Sequence, residues 1–123
     1  MTDATLARWN HFHDWYLDSI RIGPNHEPRS LTLGLYFGSD RATIRFDGVT
    51  CFSVDGLGLL NIVYSLRLID AANKNYDSVI AALNKGERLS KRKASQVAFL
   101  YSSLGAELAI EFDSLIVTPS VGD

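Results

Sequence analysis

Residues 30–47 read Ser30-Leu31-Thr32-Leu33-Gly34-Leu35-Tyr36-Phe37-Gly38-Ser39-Asp40-Arg41-Ala42-Thr43-Ile44-Arg45-Phe46-Asp47. Successive side chains on a strand point to opposite faces. Leu31, Leu33, Leu35 and Phe37 therefore share one face, and Thr32, Gly34 and Tyr36 the other. After Gly38-Ser39-Asp40 the alternation resumes. Ala42, Ile44 and Phe46 point inward, and Arg41, Thr43 and Arg45 outward. Two period-two runs joined by a short polar turn predict an antiparallel hairpin. The chain is expected to be built on a sheet.

The same pattern extends on both sides. Residues 14–22 read as a strand, with Tyr16, Ile20 and Ile22 beside Asp14 and Asp18 on one face, and Trp15 and Leu17 on the other. Asp47-Gly48 signals a hairpin or bulge, and residues 49–54 form the next strand. Beyond the turn at 55–58, Ile62, Tyr64, Leu66 and Leu68 fall on one face, with Ser65 and Arg67 opposite. Val97, Phe99 and Tyr101 alternate in a later strand. Ala106, Leu108, Ile110 and Phe112 alternate against Glu107, Glu111 and Asp113 in its partner. Leu115-Ile116-Val117 is a last short strand.

Helical spacing occurs in two places. Tyr76, Val79, Ile80 and Leu83 follow i, i+3, i+4, i+7 and predict a helix over 76–85, capped by Asn75 and ended by Gly86. Residues 3–12 predict a short N-terminal helix with Asp3 as its cap. Parallel pairing needs long crossovers, and 76–85 is the one helical crossover. The expected fold is α+β: a mainly antiparallel, curled sheet of seven or eight strands, arranged as a meander. Residues 1–123 are one domain.

The bulk numbers bound the function. The chain has 123 residues, is 46 % apolar and 21 % charged, and carries a formal net charge of −2. This charge favours neither nucleic acid nor an anionic membrane as partner. Cys51 is the lone cysteine, so no internal disulfide forms. With no targeting segment apparent, a cytoplasmic location is expected. Charge is segregated along the chain. Lys85, Arg88, Lys91, Arg92 and Lys93 cluster before a stretch, 96–123, with four acids and no base. Mutual attraction of the two is the simplest reading.

Several side-chain groupings carry potentially reactive chemistry. His11-Phe12-His13-Asp14 supplies imidazole and carboxylate, which suit zinc or manganese. On a strand Asp14 would point away from both histidines, so the cluster fits a structural junction better. Asp14 and Asp18 would lie roughly 13 Å apart on a strand, too far for a glycosidase-type pair. Cys51 sits among apolar neighbours as a small inert hydrophobe. Gly56-Leu57-Gly58 lacks the third glycine and the following helix of a dinucleotide site. No catalytic or cofactor-binding residue is assigned. Trp9, Trp15, Tyr36, Arg88, Lys91 and Arg92 are the expected protein-interface residues, because aromatics and arginine anchor interfaces.

Phe12-His13-Asp14, Phe46-Asp47-Gly48-Val49, Asn61-Ile62-Val63 and Ser103-Leu104-Gly105-Ala106-Glu107-Leu108 resemble stretches of small bacterial proteins. Some of these are similar to immunity proteins of polymorphic toxin systems. The resemblance implies a cytoplasmic protein that neutralises a toxin by binding it, and it carries no active-site residue over. The leading expectation is a non-enzymatic protein-binding module. The alternatives are a metal-dependent enzyme or small-ligand binder using His11, His13 and Asp14, and a homodimer formed through an edge strand.

Overall fold

The computed structural model describes residues 2–121, with side chains from 4 to 120. The cap role read for Asp3, and Asp123 with its charge, lie outside the described side chains. Helix α1 (Thr2–Ala7) is followed by strands β1 (Tyr16–Ile22), β2 (Ser30–Phe37), β3 (Asp40–Asp47), β4 (Cys51–Asp55) and β5 (Ile62–Ile69). Helix α2 (Tyr76–Leu83) precedes β6 (Gln96–Leu104), β7 (Glu107–Phe112) and β8 (Ser114–Val121). The molecule is mostly antiparallel sheet with two short helices, so α+β describes it only roughly.

The eight strands form one sheet in the order β4-β7-β6-β5-β1-β2-β3-β8. A simple meander would keep every consecutive pair adjacent, and this order does not. The chain makes two three-stranded meanders, β1-β2-β3 and β5-β6-β7. Each then sends its next strand to the outer edge of the other meander. β4 pairs with β7, and β8 pairs with β3. Asp47-Gly48 is therefore a crossing rather than a hairpin.

The crossing dictates curvature. β7 and β8 lie six positions apart in the order, which in a flat sheet is roughly 29 Å at 4.8 Å per strand. Asp113 alone separates them in the chain, and one residue reaches at most about 3.6 Å. The sheet must curl until its two edge regions meet. Where they meet, the Asp113 amide donates to the Asp47 carbonyl at 2.9 Å and the Thr50 amide to the Glu111 carbonyl at 3.0 Å. Gly48 has φ +68°, and a side chain there would run into Asp113.

The inner face of the curl is the main core. Leu31, Leu33, Leu35, Ala42, Ile44 and Phe46 are buried in it, as their alternation predicts. Phe112 comes from the other half and meets Phe46 edge to face at 4.9 Å. A second core lies on the outer face of β4 to β7, where Val79 and Leu83 of α2 cover Cys51, Ile69, Phe99 and Ala109. α2 ends two residues before the predicted limit. Asn75 makes no capping side-chain bond and reaches the Tyr101 hydroxyl instead. Gly86 is needed for close approach, since a Cβ there would strike the Phe52 carbonyl.

Two strands depart from simple alternation because of bulges. In β1 the register shifts between Leu17 and Ser19. Leu17 and Ile20 then both face the core side, opposite Leu35 and Leu33. In β5 the shifts around Val63 leave Tyr64 exposed and bury Ser65, the reverse of the simple pattern. A bulge inserts one residue and so flips the facing of all that follows.

Phe112→Ala should cost about 3–5 kcal/mol in urea unfolding, because Phe112 joins the two halves. Ile116→Ala, exposed on β8, should stay within about 0.5 kcal/mol. Equal effects would show that the halves do not share one core.

Candidate functional site

The N-terminal segment closes the seam between the two meanders. β1 and β5 pair at one register position, Tyr16 with Ile62. Their hydrogen bonding continues outside the regular strands. Leu17 donates to the Asn61 carbonyl, Val63 to the Trp15 carbonyl, and Asp14 to the Val63 carbonyl. Beyond that point side chains take over. The His13 ring donates through Nδ1 to the Tyr64 carbonyl at 2.8 Å, and His11 through Nδ1 to the Leu66 carbonyl at 3.0 Å. The histidines stand in for the missing amides along the edge of β5.

This geometry needs an unusual backbone. Asn10, His11, Phe12 and Asp14 all have φ between +51° and +68°. The predicted helix over 3–12 therefore stops at Ala7, and a left-handed turn follows. Phe12 is fully buried and stacks on Trp9 at 5.3 Å, while Trp15 meets both rings edge-on. Trp9 and Trp15 pack against the main core. Asp14 approaches His13 Nε2 at 3.5 Å. No group of three or more His, Cys, Asp or Glu side chains among the described residues is placed to hold a metal.

Arg88 and Arg92 are tied to the sheet. Glu111, 5 % exposed, receives both Arg88 nitrogens at 2.8 and 3.2 Å, the Ala94 amide at 3.2 Å, and the Thr50 hydroxyl. Arg92 donates to Asp113 at 3.2 Å and to the Gly48 carbonyl at 3.1 Å. The basic segment and the acidic stretch do attract one another, at the crossing itself. Lys91 is exposed. Burial raises the Glu111 carboxyl, but the bonds from Arg88, Thr50 and Ala94 outweigh it, so it titrates below its ordinary value. Burial pushes the Cys51 thiol up, and the thiol donates to the Leu83 carbonyl.

The remaining feature was not legible in the sequence pattern. The β4–β5 connection carries Leu57, Leu59 and Leu60, which are 62 %, 108 % and 46 % exposed. Its backbone is nonetheless held. Asn61, almost fully buried, accepts from the Gly58 amide at 3.0 Å and donates to the Gly58 carbonyl at 2.9 Å. Its Oδ1 also accepts from the Ala106 amide at 2.9 Å. Gly105, with φ +84°, leaves the space that Asn61 occupies. Two of the short stretches quoted above, Asn61-Ile62-Val63 and Ser103 to Leu108, therefore meet here.

Beside this loop runs an open cleft of about 370 Å³, walled by Tyr16, Asp18, Ile20 and Tyr36 on one side and by 57–61 on the other. Tyr16 and Tyr36 stack at 5.2 Å. Arg41 lies over Tyr36 at 5.4 Å and bonds Asp18 at 2.6 Å. Of the expected interface residues, Tyr36 alone lines this cleft. A Gly-Leu-Gly-Leu-Leu run between strands, with no polar side chain, was the signal available.

Replacing Asn61 by Ala would strand the Ala106 amide and both Gly58 groups. It should cost about 2–3 kcal/mol and speed exchange of the Ala106 amide; undiminished protection of that amide would refute the pinning role. Glu111→Gln should cost about 3 kcal/mol at neutral pH. A carboxyl whose pKa falls on folding stabilises above its unfolded pKa of about 4.3 and loses that contribution as pH drops through its folded value. The gap between wild type and variant should therefore shrink in acid; a gap independent of pH would contradict this. Comparisons of the chain with family models, curated proteins and solved structures found no match.

Proposed function

We propose that this chain is a protein-binding module whose docking face is the Leu57–Leu60 loop with the adjoining tyrosine cleft. One observation carries the reading: three exposed leucines on a loop whose backbone is pinned from beneath by Asn61. Burying a leucine side chain stabilises by about 1.5–3 kcal/mol. This loop forgoes that gain in the free chain, so the gain is available on association. Its backbone is already held, so little ordering entropy is lost on binding. Tyr16 and Tyr36 add the amphipathic, low-entropy contact area common in interfaces.

An immunity-type role, neutralising a toxin by occupying it, is the specific form of this reading. It rests on the resemblance of the short stretches given above, two of which build the loop's support. The metal reading has less to stand on, since the Nδ1 atoms of His11 and His13 are engaged by backbone carbonyls. No helix of the described residues is long and apolar enough to cross a membrane.

The test is co-expression with the product of the neighbouring gene. The parent chain should co-purify with it. Leu57→Asp combined with Leu59→Asp should abolish this, with thermal stability changed by no more than about 0.5 kcal/mol. Failure of the parent to co-purify, or equal recovery of the variant, would count against the proposal.

A further inference from the structure

We infer that the occupant of this face is a cationic, apolar segment of a partner protein. The inference rests on the docking reading just given and adds the charge of the partner. Asp55 immediately precedes the leucine loop. It stands directly across from Glu107 in the β4–β7 register. Both side chains are exposed. Like charges placed opposite each other on a sheet repel, so this pair costs stability in the free chain.

No ion pair among the described residues relieves it. From Phe46 to Leu66, and from Ala94 to Asp123, the sequence holds no Lys, Arg or His. Those stretches supply β4, the leucine loop, most of β5, and all of β6, β7 and β8. The ion pairs among the described residues engage Asp14, Asp18, Glu27, Asp47, Glu111 and Asp113, and neither Asp55 nor Glu107. Glu107 receives only a long contact, 3.5 Å, from the Ser102 amide. At the far wall of the cleft, Asp18 is already matched by Arg41.

The strand ends that carry the carboxylates adjoin the loop that carries the leucines. Gly56 lies against the Gly105 carbonyl, and the Ala106 amide is bonded to Asn61. These contacts bring the β6–β7 turn, which leads into Glu107, against the base of the leucine loop. A segment with apolar side chains on the leucines and a Lys or Arg between Asp55 and Glu107 satisfies both features. It removes apolar surface from water and converts a repulsion into an attraction. An acidic or neutral apolar segment would satisfy one only.

Two synthetic amphipathic helices with identical leucines, one bearing lysines and one glutamates, are suitable probes. Binding to the full chain is followed by fluorescence anisotropy over a range of salt. The lysine peptide should bind at least about tenfold tighter than the glutamate peptide, with affinity falling as salt rises. Asp55→Asn with Glu107→Gln should lose about tenfold and flatten the salt dependence. Glu27→Gln with Glu87→Gln, away from this face, should change neither. Equal binding of the two peptides, unchanged affinity of the Asp55/Glu107 variant, or no binding of either peptide would overturn the inference. In the first two cases apolar docking itself would survive. If the Leu57→Asp, Leu59→Asp variant bound the lysine peptide as the parent does, the docking reading would fall as well.

Discussion

The whole architecture depends on a chain that passes from β7 to β8 through Asp113 alone. One residue cannot span six strand spacings, so the sheet has no flat alternative. The curl then places Phe46 against Phe112 and makes one core from two meanders. The reciprocal crossing at 48–50 gives the corner a second strand. Glu111 and Asp113 flank the bend, and Arg88 and Arg92 grip them from the 86–95 segment. Basic residues that look free along the sequence are consumed in closing the sheet.

Closing one side leaves the pairing incomplete on the other. β1 and β5 approach but scarcely pair, and their edge groups still need partners. A buried amide or carbonyl without one costs about 1–3 kcal/mol. The chain meets this with a left-handed turn that aims two imidazoles at two carbonyls. The aromatic cluster of Trp9, Phe12 and Trp15 packs beneath that turn and holds it against its backbone preference. The metal-like string and the aromatic surplus thus share one structural cause.

Against this economy the leucine loop stands out. Most large apolar side chains fill two cores, and those exposed elsewhere, such as Ile22, Leu89 and Ile116, are scattered along the chain rather than gathered in one run; no buried side-chain nitrogen or oxygen among the described residues lacks a partner. At 57–61 the polar side chain, Asn61, is inside and the apolar ones are outside. Asn61 supplies the rigidity that a packed side chain would otherwise give. That inversion is costly for a free chain and useful for one that associates.

Much of the fold follows from the sequence alone. Period-two alternation from Leu31 to Phe46 determines the central hairpin, its buried face and its antiparallel sense, because a strand's geometry repeats every two residues. The i, i+3, i+4, i+7 spacing from Tyr76 to Leu83 determines α2 for the matching reason. Local periodicity says nothing about which distant strand lies alongside. The exchange of β4 and β8, the bulges that turn Tyr64 outward and Ser65 inward, and the pairing of Arg88 with Glu111 were decided by tertiary structure. So was the candidate site. The sequence places Leu57 in a turn and gives Leu59 and Leu60 no face; Asn61, bonded to Gly58 and, 45 residues along the chain, to Ala106, fixes the backbone that carries them.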